Sequence, residues 1–257
     1  NHYSRKNIGY LYAMKNGAKL IYETDDDNAP TAEWGKPSLT CERRIDSPCK
    51  FVNILHRYTS QRPVWPRGFP LDEVLSGDDG KTADTEKHLV PVWQGLTVGD
   101  SDVDAIYRLT NGKPIELYPR EHVYLNRGSY CPFNSQDTFW YWDAFPMMYL
   151  PTTVEFRFTD ILRGYIAQPI LWASNLHLGF TGPTTRQERN VHDLMSDFRD
   201  EMRMFGMTKE IVDCIEDAID DCMMHTNMIS VYRALYGKGI VKAEDLTALE
   251  AWLGDLE

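Results

Sequence analysis

Lys19-Leu20-Ile21-Tyr22-Glu23-Thr24 is a short extended segment that runs directly into Asp25-Asp26-Asp27-Asn28. The stretch before it, Ser4 to Gly17, has apolar residues at 8, 11, 12 and 14, a serine placed to cap the start and a glycine at the stop. That pattern predicts a helix. A helix, a glycine and a strand ending in acid form an α/β unit, and the functional edge of such a unit is the carboxyl end of its strand. This one segment therefore constrains both the fold class and the place where chemistry belongs.

Hard divalent cations take oxygen ligands, and Mg²⁺-type ions are usually held by one or two carboxylates together with substrate phosphates. Asp25 and Asp27 are the candidate ligands for Mn²⁺ or Mg²⁺ at a metal-diphosphate site. Arg5, Lys6 and Asn7 fall in the first helical turn, where cations gain nothing from the helix dipole, so their placement suits a bound anion. The plain alternative is a solvated acidic turn; the preceding strand is the context that favours the metal reading.

The segments Arg5 to Ala13, Gly17-Ala18 and Tyr22 to Asn28 resemble the opening signature of the STELLO-type glycosyltransferase-like proteins. The resemblance continues in blocks through Gln94-Gly95-Leu96, Asp102 to Leu109, Pro132 to Gln136 and Leu150 to Trp172, covering about residues 1 to 180. It implies a GT-A, Rossmann-like nucleotide-diphospho-sugar transferase fold, in which an Asp-x-Asp motif holds a divalent metal against a nucleotide-sugar diphosphate. In such a fold the strands that hold the nucleotide base precede the Asp-x-Asp strand. The resemblance thus implies that the chain begins partway into the fold, with an edge or face to be covered by an N-terminal segment or a partner chain. It also implies that Asp26 and Asn28 orient ribose or sugar hydroxyls while Arg5, Lys6 and Asn7 serve the phosphates.

The net charge of −11 and the lack of a basic stripe argue against a nucleic-acid binder. No apolar run approaches the ~20 residues of a membrane helix. The five cysteines have neither disulfide-framework nor zinc-site spacing, although Cys41 and Cys49 could bridge a loop. No Asn-x-Ser/Thr acceptor is present, which disfavours a glycosylated secretory history.

Residues 29 to 95 lack helical periodicity and read as loops and short strands, with Gly77 to Lys87 as an exposed polar loop in which Asp78-Asp79 has no preceding strand. Leu89 to Leu96 reads as a strand entering a turn and a short helix. Asp102 and Asp104 on that turn are candidates to accept hydrogen bonds from substrate hydroxyls, with helix capping by Asp102 as the alternative. Tyr130 to Trp142 joins amides and hydroxyls to an aromatic cluster, a composition suited to sugar stacking and hydroxyl reading, so Asn134, Gln136 and Trp140 are substrate candidates.

The alternation Val154, Phe156, Phe158 predicts a strand, after which Thr159 or Asp160 opens a helix. Asp160 and Arg163 share a face of that helix. The segment resembles the catalytic segment of exostosin-like transferases, which implies Asp160 as the catalytic carboxylate and Arg163 as the cation that offsets leaving-group charge. His177 is a candidate third metal ligand, on the analogy of GT-A enzymes that add a late histidine.

Beyond Gly182-Pro183 the pattern becomes helical: one apolar stripe runs from Val191 to Phe205, a second from Ile211 to Cys222, and further helices are predicted near 228–236 and 243–253. The expected organisation is a transferase domain, partial at its N-terminus, over 1–182 and a helical C-terminal region over 183–257. The expected function is metal-dependent transfer of a sugar, UDP-linked by resemblance, from a nucleotide sugar to a glycan or other hydroxyl acceptor. The rival is a non-catalytic scaffold that assists a polysaccharide synthase complex. A two-metal phosphohydrolase would need a further His/Asp cluster, which the sequence lacks.

Overall fold

The computed structural model describes residues 2–75, 80–188, 193–220 and 223–256. Asp78-Asp79, Val191 and Cys222 lie outside the described residues. A tight turn over Tyr3–Arg5, capped by the His2 side chain in place of the expected Ser4, leads into helix α1 (Lys6–Lys15). Gly17, at φ +82°, turns the chain into strand β1 (Leu20–Thr24), because the left-handed region is cheap only for glycine. Asp25 to Asp27 then reverse it into β2 (Asn28–Pro30).

β3 (Thr40–Asp46) is followed by the short helix α2 (Leu55–Tyr58) and by β4 (Lys81–Leu89), antiparallel to β3. The polar stretch Lys81 to Lys87 is therefore strand, not loop. As an outer strand with most side chains exposed, β4 needs no apolar alternation, and its lysines and acids are the usual protection of an edge. The chain continues through β5 (Val92–Gly99), α3 (Ala105–Thr110), β6 (Val123–Leu125), β7 (Asp137–Tyr141), α4 (Thr159–Ala173), β8 (Leu178–Gln187), α5 (Leu194–Asp217), α6 (Met224–Gly237) and α7 (Ala243–Gly254). The expected strand at 154–158 is instead a tight helical turn, Phe156–Phe158, that feeds α4; three apolar residues are too few to separate period two from a helical turn.

The sheet order is β1-β7-β5-β8-β6-β3-β4, with β2 paired to β8. Two pairings, β5 with β8 and β3 with β6, are parallel and the others antiparallel, so the sheet is mixed. β1 and β5 are both antiparallel to β7, and β8 is parallel to β5; these three strands consequently point the same way. Their carboxyl ends at Thr24, Gly99 and Gln187 meet on one edge, beside the amino end of β7 at Asp137.

α4 is buried from Thr159 to Trp172, as expected for a helix that is apolar nearly all round. It contacts α5 and α6, and it approaches the segment before β7 so closely that a Cβ on Gly164 would lie 2.6 Å from the Phe133 carbonyl oxygen. The two expected C-terminal stripes join in the single helix α5, which contacts α3, α4 and α6. Cys41 and Cys49 are free: Cys41 sits within β3 and Cys49 beyond its end, held apart by extended backbone. No described helix is long and apolar enough to cross a membrane.

Candidate functional site

A cavity of about 420 Å³ opens at the edge where β1, β5 and β8 end. The turn after β1 contributes Asp25, Asp26 and Asp27, the loop after β5 Asp102, the approach to β7 Gln136, the end of β8 Gln187 and the first turn of α4 Asp160. Arg5, Lys6, Arg67, Arg108 and Arg157 line the same cavity. Carboxylates separated by 135 residues in sequence, Asp25 and Asp160, thus share one space.

On the turn side, Lys6 Nζ donates to Asp25 Oδ1 at 2.9 Å and to the Ser135 carbonyl at 3.1 Å, and the Tyr3 hydroxyl donates to the same Asp25 oxygen at 3.1 Å. Burial raises the Asp25 pKa, against the pull of Lys6. Asp27 Oδ2 accepts from Gln187 Nε2 at 3.0 Å, whereas Asp27 Oδ1 is buried with no partner. Asn28 holds the turn in place by donating to the Gln136 carbonyl at 2.8 Å and to Thr24 Oγ1 at 3.2 Å.

Beyond Ser135, whose amide donates to Asp160, the cavity is closed by an arginine that the sequence did not single out. Arg67 donates through Nε and Nη2 to Asp102 at 2.8 and 2.9 Å, and through Nη1 and Nη2 to Asp160 at 3.0 Å each. Asn134 Nδ2 adds a bond to Asp102 at 2.6 Å, and the amides of Ser135 and Ile161 donate to Asp160 at 3.2 and 3.0 Å. Burial by itself would raise the Asp102 pKa, but Arg67 overrides it and holds the carboxyl well below the usual range. Asp102 therefore pairs with Arg67 and does not cap a helix; Asp160 is 3% exposed with both oxygens occupied.

The turn side offers carboxylate oxygens, the ligand type that a Mg²⁺-type ion takes. No group of three His, Cys, Asp or Glu side chains suited to a metal occurs among the described residues. Asp27 keeps one buried oxygen unpartnered, and no hydrogen bond reaches Asp25 Oδ2 among the described residues. Two carboxylates, each with one oxygen to spare, fit an ion that completes its shell with substrate phosphate and water.

Residues 157–257 match the family model described as STELLO glycosyltransferases. The probable glycosyltransferase STELLO2 of Arabidopsis thaliana is 30% identical over 213 residues, covering 73% of this chain and 27% of the relative. The probable glycosyltransferase STELLO1 of the same plant is 30% identical over 209 residues, covering 71% of this chain and 26% of the relative. Over these stretches the chain is similar to STELLO-type glycosyltransferases. It spans about a quarter of the length of the curated relatives it matches. The family match includes the C-terminal helices, which lie beyond the blocks of resemblance over residues 1 to 180.

Several residues singled out from the sequence lie elsewhere in the chain. Arg163, 1% exposed, does not line the cavity: its guanidinium donates to both oxygens of the buried Glu23, with Nη1 to Oε2 at 3.0 Å, and lies 4.8 Å from the Trp140 ring centre. Glu23 also accepts from Trp140 Nε1 at 2.9 Å and from the Tyr10 hydroxyl, so this is a buried structural network. Trp140 is fully buried inside it and has no face for a sugar. Asp104 caps α3, accepting from the Tyr107 amide at 2.8 Å and from Trp65 Nε1 at 2.5 Å, and burial pushes its pKa up to about 6. Asn7 clamps the backbone of Leu150, donating to its carbonyl at 2.8 Å and accepting from its amide at 2.9 Å.

His177 precedes β8 at the end opposite the cavity, and ten residues of strand, roughly 30 Å, separate the two. It packs on Tyr124 and His88, and burial lowers its pKa to about 4, so it is not a third ligand of the Asp25-Asp27 turn. Asn134 reaches Asp102 from a small neighbouring cavity, and Gln136 lines both spaces. Arg5, Lys6, Asp25, Asp26, Asp27, Asp102, Gln136 and Asp160 are the sequence-selected residues that meet in the main cavity.

Proposed function

We propose that this chain is the donor-binding part of a GT-A-type, metal-dependent glycosyltransferase that uses a nucleotide sugar, UDP-linked by family resemblance, and a glycan or other hydroxyl acceptor. The observation that carries this reading is the cavity of about 420 Å³ at the carboxyl ends of three co-directional strands, where among the described residues Asp27 Oδ1 is unpartnered and no hydrogen bond reaches Asp25 Oδ2. A crevice at that edge is where α/β sheets bind nucleotides. Asp25 and Asp27 would hold Mn²⁺ or Mg²⁺, which would neutralise diphosphate charge and favour departure of the nucleotide. Lys6, already bound to Asp25, sets that carboxylate's position and adds positive charge beside it. Asp26, exposed on the same turn, is placed to meet donor hydroxyls.

The non-catalytic scaffold has one observation in its favour: Arg67 occupies both oxygens of Asp160, the carboxylate expected to do the chemistry. Calorimetric titration with UDP, in Mn²⁺ and again in chelator, separates the two readings. The transferase reading expects UDP binding that depends on the metal. A chain that binds no UDP under either condition is a scaffold, and phosphate release from UDP would mark a hydrolase.

A further inference from the structure

The leaving-group cation assigned from the sequence, Arg163, is sealed against Glu23, which leaves that role open on the assumption that the donor reading holds. Arg157 lines the main cavity, and its Nη2 is buried without a hydrogen-bond partner. Its Nε faces Glu201 of α5 at 2.5 Å, and Glu201 is fully buried. The second oxygen of Glu201 accepts from the Ala105 amide at 2.7 Å, at the start of α3 and three residues after Asp102. One α5 carboxylate thus ties the Arg157 turn to the α3 wall of the site. A second α5 pair, Arg203 to Glu155 at 3.2 Å, grips the same turn from the other side.

A guanidinium in the cavity lining, held along one edge by a carboxylate, is a ready partner for phosphate oxygens, which it can meet in a fork. We propose that Arg157 binds the diphosphate of the nucleotide donor and that Glu201 is its positioning residue, which makes α5 part of the binding apparatus. The helical C-terminal region then carries function without contacting substrate. A buried carboxylate is a costly way to brace a helix, and the cost is offset here by fixing the Arg157 guanidinium in the cavity wall, with Asp197 3.8 Å from the same Nε.

The test is calorimetric binding of two probes, UDP with Mn²⁺ and inorganic pyrophosphate without metal, to the wild-type chain, Arg157→Met, Arg157→Lys and Glu201→Gln, with thermal melts of each. Arg157→Met is expected to weaken both probes by roughly 10- to 100-fold, the worth of one charge-assisted hydrogen-bonded contact. Arg157→Lys keeps the charge without the fork and should fall between wild type and Arg157→Met; it stands in if the methionine variant does not fold. Glu201→Gln should weaken both probes by a smaller factor in protein that is still folded at the assay temperature. A purely structural Glu201 would lower the melting temperature and leave both affinities unchanged, overturning its positioning role. Unchanged affinities in both Arg157 variants would overturn the proposal while leaving the donor reading intact. Arg157-dependent binding of pyrophosphate without binding of UDP would keep Arg157 as a diphosphate-binding residue but overturn the nucleotide as its ligand, and with it the donor reading. A wild-type chain that binds neither probe overturns both.

Discussion

The two acidic walls of the cavity are built from the same residue types and behave oppositely. On the turn side, Asp25 and Asp27 keep one oxygen each, and the Lys6-Asp25 pair is partly exposed, at 21% and 30% of the side chains. On the facing side, Asp102 and Asp160 are saturated by Arg67, whose side chain is 7% exposed. A carboxylate with spare oxygens can accept a cation, whereas one already forked to arginine mainly holds geometry. In the proposed function, binding therefore falls to the turn and rigidity to the Arg67 wall, although both are lined by aspartate.

The largest effect should come from the rigid wall. Arg67→Met strands the buried Asp160 and the part-buried Asp102 and is expected to cost about 3–5 kcal/mol of stability, read by thermal or denaturant unfolding. Asp102→Asn should cost about 1–3 kcal/mol, because it weakens one charge-assisted pair, whereas Asp25→Asn should cost less than about 1 kcal/mol. Equal losses for the two asparagine variants would erase the contrast.

The pH dependence has opposite signs on the two walls. Asp102 is depressed in the folded chain, so its stabilisation is present above the unfolded carboxylate pKa of about 4 and is lost as pH falls towards the folded value. Asp25 is raised in the folded chain, chiefly by burial, so its contribution is present below about pH 4 and is lost as pH rises through the folded value. Carboxyl-detected NMR titration should show Asp25 titrating above Asp102, and the wild type should lose its stability advantage over Asp102→Asn as the medium is acidified. The reverse order of titration would contradict the assignment of walls. A smaller effect is expected from Lys6→Met, a loss of about 0.2–1 kcal/mol with a further rise in the Asp25 pKa.

The elements with strong local signals were legible in the sequence. The helix-glycine-strand-acid order of residues 6–27 and the helix opening at Thr159 stand as read, because glycine and apolar periodicity act within a few positions. The site was half legible. Asp25, Asp27, Asp102 and Asp160 do share a cavity, but what each carboxylate does there is decided by partners far away in the chain. Arg67 sits in a proline-marked loop, with Pro63, Pro66 and Pro70, and meets Asp160 across 93 positions. Glu23 claims Arg163 across 140 positions, which no spacing rule on helix α4 could reveal. Trp140 was misplaced for a related reason: an aromatic beside amides serves a sugar or a core equally well until burial is known. The signal available for Arg67 was the lone arginine between Pro66 and Gly68, in a segment otherwise apolar from Val64 to Phe69.

The central claim is that the Asp25-Asp27 turn is where the metal-diphosphate binds. Paramagnetic broadening by Mn²⁺ in NMR spectra of the chain, recorded with and without UDP, tests it most directly. With UDP present, the account predicts broadening centred on residues 24–28 and Gln187, with Arg163 and His177 outside the broadened set and the effect much reduced in Asp27→Asn. Broadening centred on His177, or broadening of residues 24–28 that is undiminished in both Asp25→Asn and Asp27→Asn, would contradict it.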